Sequence, residues 1–399
     1  MNNSNANSAL INTLNASDSR HNPSVYSSKK IYPAAAVNVL PLDLTTGTLA
    51  NNNTLTFNLP KYGILQSLHF QYAKKMGGAN GSLPAFDFAT VIERVELLSS
   101  SRVVQTLTKS DIIAQVSDLD TSQFAVANKT FIAGKAGNVN DVLFTAVPFV
   151  FGFMKDINTN LNLQFNEPMS VRIKLSADVT VANGTSTFTI EGVPKLIMRY
   201  LAYNESDYAE VLSQNYDEPE FNQMVTNFYD EPTVVSAVTA GEVTAKSKIV
   251  TVDIKNTECV NNFYVLCRKQ TASNEPYGTP LGINKITLKA SGQTLFELEG
   301  AMVQNSSLCV NGFYTAPNVT SSVDNLGKIQ VGYWEYSGGG TQSNTLSLRE
   351  LNNPQIEVDV NVGTLAGGTD SCEVIICEET LGIVSTTSST GRVQSALSN

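Results

Sequence analysis

Apolar and polar residues alternate with a period of two through much of this chain, and the clearest such stretch occurs twice. In Ile92 to Leu107, Val95 and Leu97 alternate with Arg94 and Glu96, small residues follow at Ser99-Ser100-Ser101, and apolar positions resume up to Leu107. In Ile283 to Leu298, Ile286 and Leu288 alternate with Lys285 and Thr287, and the chain turns through Ser291-Gly292. Alternation of this kind marks a half-buried strand, and small residues between two such runs mark a hairpin. The copies align at a constant offset of 191 positions with 4 of 16 pairs identical. What repeats is therefore the pattern, and it predicts two similar halves.

A second correspondence supports duplication. Asn166-Glu167-Pro168 precedes Val171, Ile173 and Leu175, and Asn352-Asn353-Pro354 precedes Ile356, Val358 and Val360. Proline suits the first residue of a strand, where no ladder donor is required. From the hairpin start to this Asn is 74 residues in the first half and 69 in the second, so order and spacing agree.

Further short strands are expected at Val37 to Leu42, Leu55 to Leu59, Leu65 to Tyr72, Phe144 to Met154, Thr187 to Ile190 and Leu196 to Leu201. The second half offers Ile249 to Ile254, Phe263 to Cys267, Ile329 to Trp334, Leu346 to Leu348 and Glu373 to Ile376. About eight strands per half is the count of a β-sandwich. Helices are few: Ser110 with Asp111 is expected to cap one after the first hairpin, and Ser206 with Asp207 and Glu210 to start another across Tyr208 to Leu212. The resulting division is an N-terminal arm over 1–33, a first sandwich over 34–205, an acidic linker with a short helix over 206–232, a second sandwich over 233–385 and a polar tail over 386–399. The linker assignment rests on Asp217, Glu218, Glu220, Asp230 and Glu231 with no basic residue among them. The turn-rich stretches Gln270 to Pro280 and Tyr314 to Asn344 read as exposed end loops.

Composition reinforces an all-β reading. The chain is rich in Asn, Thr, Ser and Val, with 17 Phe and 14 Tyr and only 16% charged residues. At 399 residues, two sandwiches each have room for a full core. Net charge is −10 and no basic run exceeds Lys29-Lys30 or Lys74-Lys75, so direct nucleic-acid binding is disfavoured. Met1 to Leu14 has no basic start followed by an apolar stretch, which predicts synthesis in a cytoplasm. The longest apolar run, Val142 to Met154, contains Pro148 and is too short to span a bilayer. The first 33 residues, dominated by Asn, Ser and Ala, bury too little apolar surface to order themselves alone.

No catalytic, cofactor-binding or metal site emerges from spacing. His21 and His69 have no ligand-spaced neighbours, and Gly77-Gly78 and Gly338-Gly339-Gly340 lack the Lys-Ser/Thr ending of a phosphate loop. Cys259, Cys267, Cys309, Cys372 and Cys377 form no CxxC and are expected to be buried thiols on strands. The Asn-x-Ser/Thr triplets at Asn80, Asn128, Asn183, Asn204 and Asn318 follow from composition. Trp334 with Tyr333 and Tyr336 is a candidate sugar platform, weighed against an ordinary core or interface role.

Two consecutive sandwiches, each with a strand-turn-strand and a late Asn-x-Pro strand, resemble the double jelly-roll major capsid proteins of tectiviruses, adenoviruses and large DNA viruses. The hairpin Val91 to Leu107 carries the most specific part of that resemblance, although Ser99-Ser100-Ser101 stands where glycines are common in large-virus members. The resemblance implies two tandem eight-stranded jelly rolls, a homotrimer forming a pseudo-hexagonal brick, and a structural role in an icosahedral virion. It also implies contacts with neighbouring capsomers and with minor capsid or vertex proteins, an arm available to an internal membrane, and no enzymatic activity. A tandem-sandwich adhesin holding a sugar through Trp334 is the competing expectation.

Overall fold

A computed structural model describes residues 36–83, 87–115, 135–154, 161–163, 166–183, 185–202, 220–231, 233–255, 260–270, 281–299, 326–330, 333–337, 340–344, 347–348, 351–387 and 392–395. The N-terminal arm, the expected helix at Tyr208 to Leu212 and Cys259 and Cys309 lie outside them.

The first half contains β1 (Ala36–Asp43), β2 (Thr54–Asn58), β3 (Ile64–Gly78), β4 (Gly81–Leu83), helix α1 (Phe88–Val91), β5 (Ile92–Ser99), β6 (Arg102–Thr108) and α2 (Lys109–Ala114). It continues with β7 (Lys135–Gly137), β8 (Val142–Phe149), β9 (Met169–Leu175), β10 (Val181–Asn183) and β11 (Ser186–Ala202). The second half contains β12 (Glu220–Asp230), β13 (Val234–Ala237), α3 (Ala240–Ala245), β14 (Lys248–Asp253), β15 (Val260–Lys269), β16 (Ile283–Ala290) and β17 (Gln293–Glu299). It ends with β18 (Leu326–Gln330), β19 (Tyr333–Ser337), β20 (Gly340–Asn344), β21 (Gln355–Val360), β22 (Ser371–Thr387) and β23 (Arg392–Ser395).

Strand order makes each half a jelly roll. One sheet of the first half runs β1-β11-β3-β8 and the other β2-β9-β5-β6; the second half repeats this as β12-β22-β15-β18 and β14-β21-β16-β17. Eight principal antiparallel strands in two facing sheets define that architecture. The expected duplication holds down to single-residue irregularities. The β5–β6 ladder slips between Leu97 and Leu98 and the β16–β17 ladder between Leu288 and Lys289, again 191 positions on. The ladders of β5 with β9 and β16 with β21 slip between Ile92 and Arg94 and between Ile283 and Lys285. Bulges pin register and twist, so matched bulges mean matched sheet curvature. The second hairpin turns through Ser291 at φ 52° and Gly292 at φ 74°, the type I′ geometry that suits a twisted ribbon.

Alternation builds the cores. In the first roll Leu55, Phe57, Leu68, Phe70, Val95, Leu97, Val171, Ile173, Leu196 and Met198 face one another between the sheets. In the second, Val250, Val252, Phe263, Val265, Ile286, Leu288, Ile356, Val358, Val374 and Ile376 do the same.

Several expectations change. Thr187 to Ile190 and Leu196 to Leu201 are one strand, β11, because a register shift between Glu191 and Lys195 absorbs the Gly192-Val193-Pro194 interruption. Residues 220–230 of the expected linker form β12, paired with β22 along its whole length. The cap of α2 is Thr108, whose side chain accepts from the Asp111 backbone N–H while the Asp111 carboxylate accepts from the Thr108 N–H. The turn-rich stretch Tyr314 to Asn344, where one strand was expected at Ile329 to Trp334, contains β18, β19 and β20. Leu348 is a buried core residue outside any strand.

Candidate assembly interface

A strand inside a sandwich normally buries one face, yet β15 is buried at eight consecutive positions and β22 from Val374 to Leu381. The cause is the first roll, which packs on the outer face of that sheet. Tyr264, Leu266, Ile375 and Cys377 point away from the second core and join the apolar cluster that contains Ile112, Ile113 and Phe153 of the first roll. Helix α2 and the turn Gly152–Met154 reach this surface because they follow β6 and β8 at the end of the first sandwich that meets β12.

Polar contacts fix the seam. Gln105 on β6 is buried; its Nε2 donates to Thr226 O at 2.5 Å and Asn227 Oδ1 at 2.9 Å, and its Oε1 accepts from Gly152 N at 2.9 Å. The Thr108 hydroxyl lies 2.5 Å from Asp230 Oδ2. At Gly152 an added Cβ would stand 1.7 Å from Thr226 O, so only glycine permits this approach of backbone to backbone.

The equivalent face of the first roll is part-exposed among the described residues. On the outer side of β1-β11-β3-β8, Pro41, Ile197, His69 and Pro148 lie directly across from one another, with Val39, Arg199 and Ser67 in the adjacent row. Val37 is 50% and Val39 62% exposed. Burial lowers the His69 pKa and the nearby Arg199 charge lowers it further, so its imidazole is predominantly neutral at pH 7. On the second roll, the positions 191 residues after Val104 and Gln105 are Leu295, which is 43% exposed, and Phe296, which is half-buried against the second core.

Other candidate residues scatter. Cys267, Cys372 and Cys377 are buried thiols on strands, with the pKa values of Cys267 and Cys377 pushed well up, chiefly by burial. Trp334 pairs in register with Ser343 on the β19–β20 hairpin. Spacing rules could not flag Lys74, an inward position of β3, whose Nζ meets Asp87 Oδ2 at 2.5 Å with both side chains fully buried. Tyr72 and Thr145 hydroxyls add to the same oxygen at 3.2 and 3.4 Å.

Comparison with solved structures gives a consistent result. The PBCV-1 virus capsid subunit superposes with a TM-score of 0.67 at 11% identity, over 93% of this chain and 98% of that one. The Faustovirus major capsid protein matches with a TM-score of 0.62 at 8% identity, over 89% and 91%. The mavirus major capsid protein matches at 0.54 and 12% identity, over 93% of each chain. The chain has the double jelly-roll fold of major capsid proteins. No protein-family profile and no curated protein sequence matches it. At these identities it is fold that is shared, and double jelly rolls of this kind extend over nearly the full length of the chain.

Proposed function

We propose that the chain is a major capsid protein that closes into pseudo-hexagonal homotrimers and tiles as a structural, non-enzymatic component of an icosahedral virion. One observation carries this reading. The chain presents the same sheet face twice, covered within the molecule by the other roll in one case and, among the described residues, part-exposed at Val37, Val39, Pro41 and Arg199 in the other. An interface of this head-to-tail type repeats between copies and either closes into a ring or runs on as a filament. A ring of alternating first and second rolls satisfies every such face, and three copies supply the six rolls of a hexagonal brick. The low charge content suits flanks that must be desolvated on assembly. Residues 1–33 are proposed to contact neighbouring capsomers or an internal membrane, minor capsid or vertex proteins to join the shell, and the acidic chain not to bind the genome directly. The arm over 1–33 and the stretch around residue 206 are proposed to flank the two rolls, whereas the expected tail from 386 contributes the end of β22 and β23, which pairs with β22 and buries Val393 in the core.

Light scattering coupled to size exclusion tests the reading. The wild-type chain is expected to elute at about three chain masses, and Val39→Glu, which places a charge on the open face, to elute as a folded monomer. A wild-type chain that stays monomeric at high concentration, or a Val39→Glu trimer as stable as wild type, would sink it.

A further inference from the structure

The seam between the rolls gathers three ligand-type side chains that no spacing rule connects. Asp111 lies on α2 of the first roll, Asp230 is the last residue of β12, and Cys377 lies in β22 directly across from Asp230. One donor atom from each falls within 4.8 Å of the others. Asp111 and Cys377 are each 1% exposed, whereas Asp230 is open to solvent. We propose that Asp111, Asp230 and Cys377 form a divalent-cation site of the zinc class that staples the first roll to the second.

A second observation at the site points to a ligand. Asp111 Oδ2 accepts from the Thr108 backbone N–H at 2.8 Å and lies 3.1 Å from its hydroxyl, but Oδ1 is buried with no hydrogen-bond partner. A buried carboxylate oxygen left without a donor is costly, and native structures rarely retain one unless an ion or water meets it. Among the described residues neither carboxylate takes part in a salt bridge. The donor set selects the metal: magnesium and calcium take oxygen ligands, whereas a thiolate with carboxylates suits zinc. Three protein ligands leave a fourth, tetrahedral position on the solvent side, where Asp230 is exposed and a water completes the shell. Binding releases the proton of the Cys377 thiol and any proton held between the carboxyl groups.

The full-length protein, stripped with a chelator and dialysed, provides the test. With ZnCl2 it is expected to retain about one equivalent of zinc and to melt roughly 3 °C higher at a hundredfold excess over Kd, while MgCl2 does neither. Cobalt(II) in place of zinc is expected to give a thiolate-to-metal charge-transfer band that Cys377→Ser abolishes and Cys372→Ser, a thiol of the second core, leaves intact. Asp111→Asn is expected to lose zinc binding; if that variant does not fold, the cobalt spectrum of Cys377→Ser still decides. Unchanged melting with zinc and a cobalt spectrum lacking the thiolate band would overturn the site in favour of a proton shared by Asp111 and Asp230. A thiolate band that survives Cys377→Ser would overturn it as well.

Discussion

Gly152→Ala is the sharpest probe of how the two rolls are joined. The glycine lies in the turn after β8, and a methyl group there would sit 1.7 Å from Thr226 O, 2.6 Å from Thr226 C and 2.8 Å from Gln105 Nε2. Two of the three obstacles are backbone of β12, which is held along its length by β22, so no side chain can swing aside. Restoring ordinary contact requires roughly 1.5 Å of separation between the turn and the strand. That opening breaks the bonds from Gln105 to Thr226 O and Asn227 Oδ1 and leaves a buried amide unsatisfied. Overpacking costs about 1–3 kcal/mol and the stranded polar groups about 1–3 kcal/mol more, a total of about 2–6 kcal/mol. Urea unfolding of wild type, Gly152→Ala and Gly241→Ala reads the effect directly. Gly241 is the control because a Cβ there meets nothing within 4 Å and it lies within α3, where alanine is the better helix former. The reasoning fails if Gly152→Ala unfolds within about 1 kcal/mol of wild type.

Asp87→Ala strands the Lys74 ammonium in the first core and is expected to cost about 3–5 kcal/mol by urea unfolding, whereas the pair Lys74→Met with Asp87→Leu should recover most of that loss; equal losses in both would refute the pairing argument. At α3, Glu242 accepts from Lys248 Nζ at 2.8 Å and from the Thr239 backbone N–H at 2.7 Å, which together hold its carboxyl below the ordinary value of 4.5. A lowered folded pKa contributes stability that is present above the unfolded value and lost as pH falls through the folded one. Glu242→Gln, which keeps the capping acceptor and removes the charge that meets Lys248, should therefore cost about 0.5 kcal/mol at pH 7, with the difference vanishing in acid below the folded pKa; a deficit that persists there would refute the assignment.

Periodicity made the repeat legible because both sheets that carry it have one dry and one wet face, so alternation survives in the sequence. The register slips that match 191 positions apart explain why the hairpins kept the same spacing while most identities were lost. The other sheet of the second roll was harder to read because the first roll covers it. In β22 only Glu373 to Ile376 looked like a strand, since Glu378, Glu379 and Thr380 are polar residues in a segment buried on both faces. Tyr264 accounts for part of that burial by donating to Glu379 Oε2 at 2.8 Å. β12 was hidden by its acidic ends and by Asn222, Gln223 and Asn227, the last of which is there to receive Gln105. The same logic hid Lys74 and the Asp111, Asp230 and Cys377 cluster. Their partners come from other strands, and a local pattern carries no record of a contact made across the fold.

The two versions of the duplicated face differ in a way that suits their tasks. The face covered within the chain presents Tyr264, Leu266, Ile375 and Cys377, an apolar set whose partner is tethered to it and never leaves. The open face of the first roll mixes Val37, Val39, Pro41 and Ile197 with His69, Arg199 and Lys195, so it is apolar enough to be worth covering and polar enough for a free chain to remain in solution. A tether raises the effective concentration of one roll near the other without any added contact, which lets the inner seam form before copies meet. Between copies there is no tether, and a net charge of −10 on each chain adds a repulsion that salt screens. In the proposed capsomer, contact between copies through this face would be governed by concentration and ionic strength, whereas the seam is set when the chain folds.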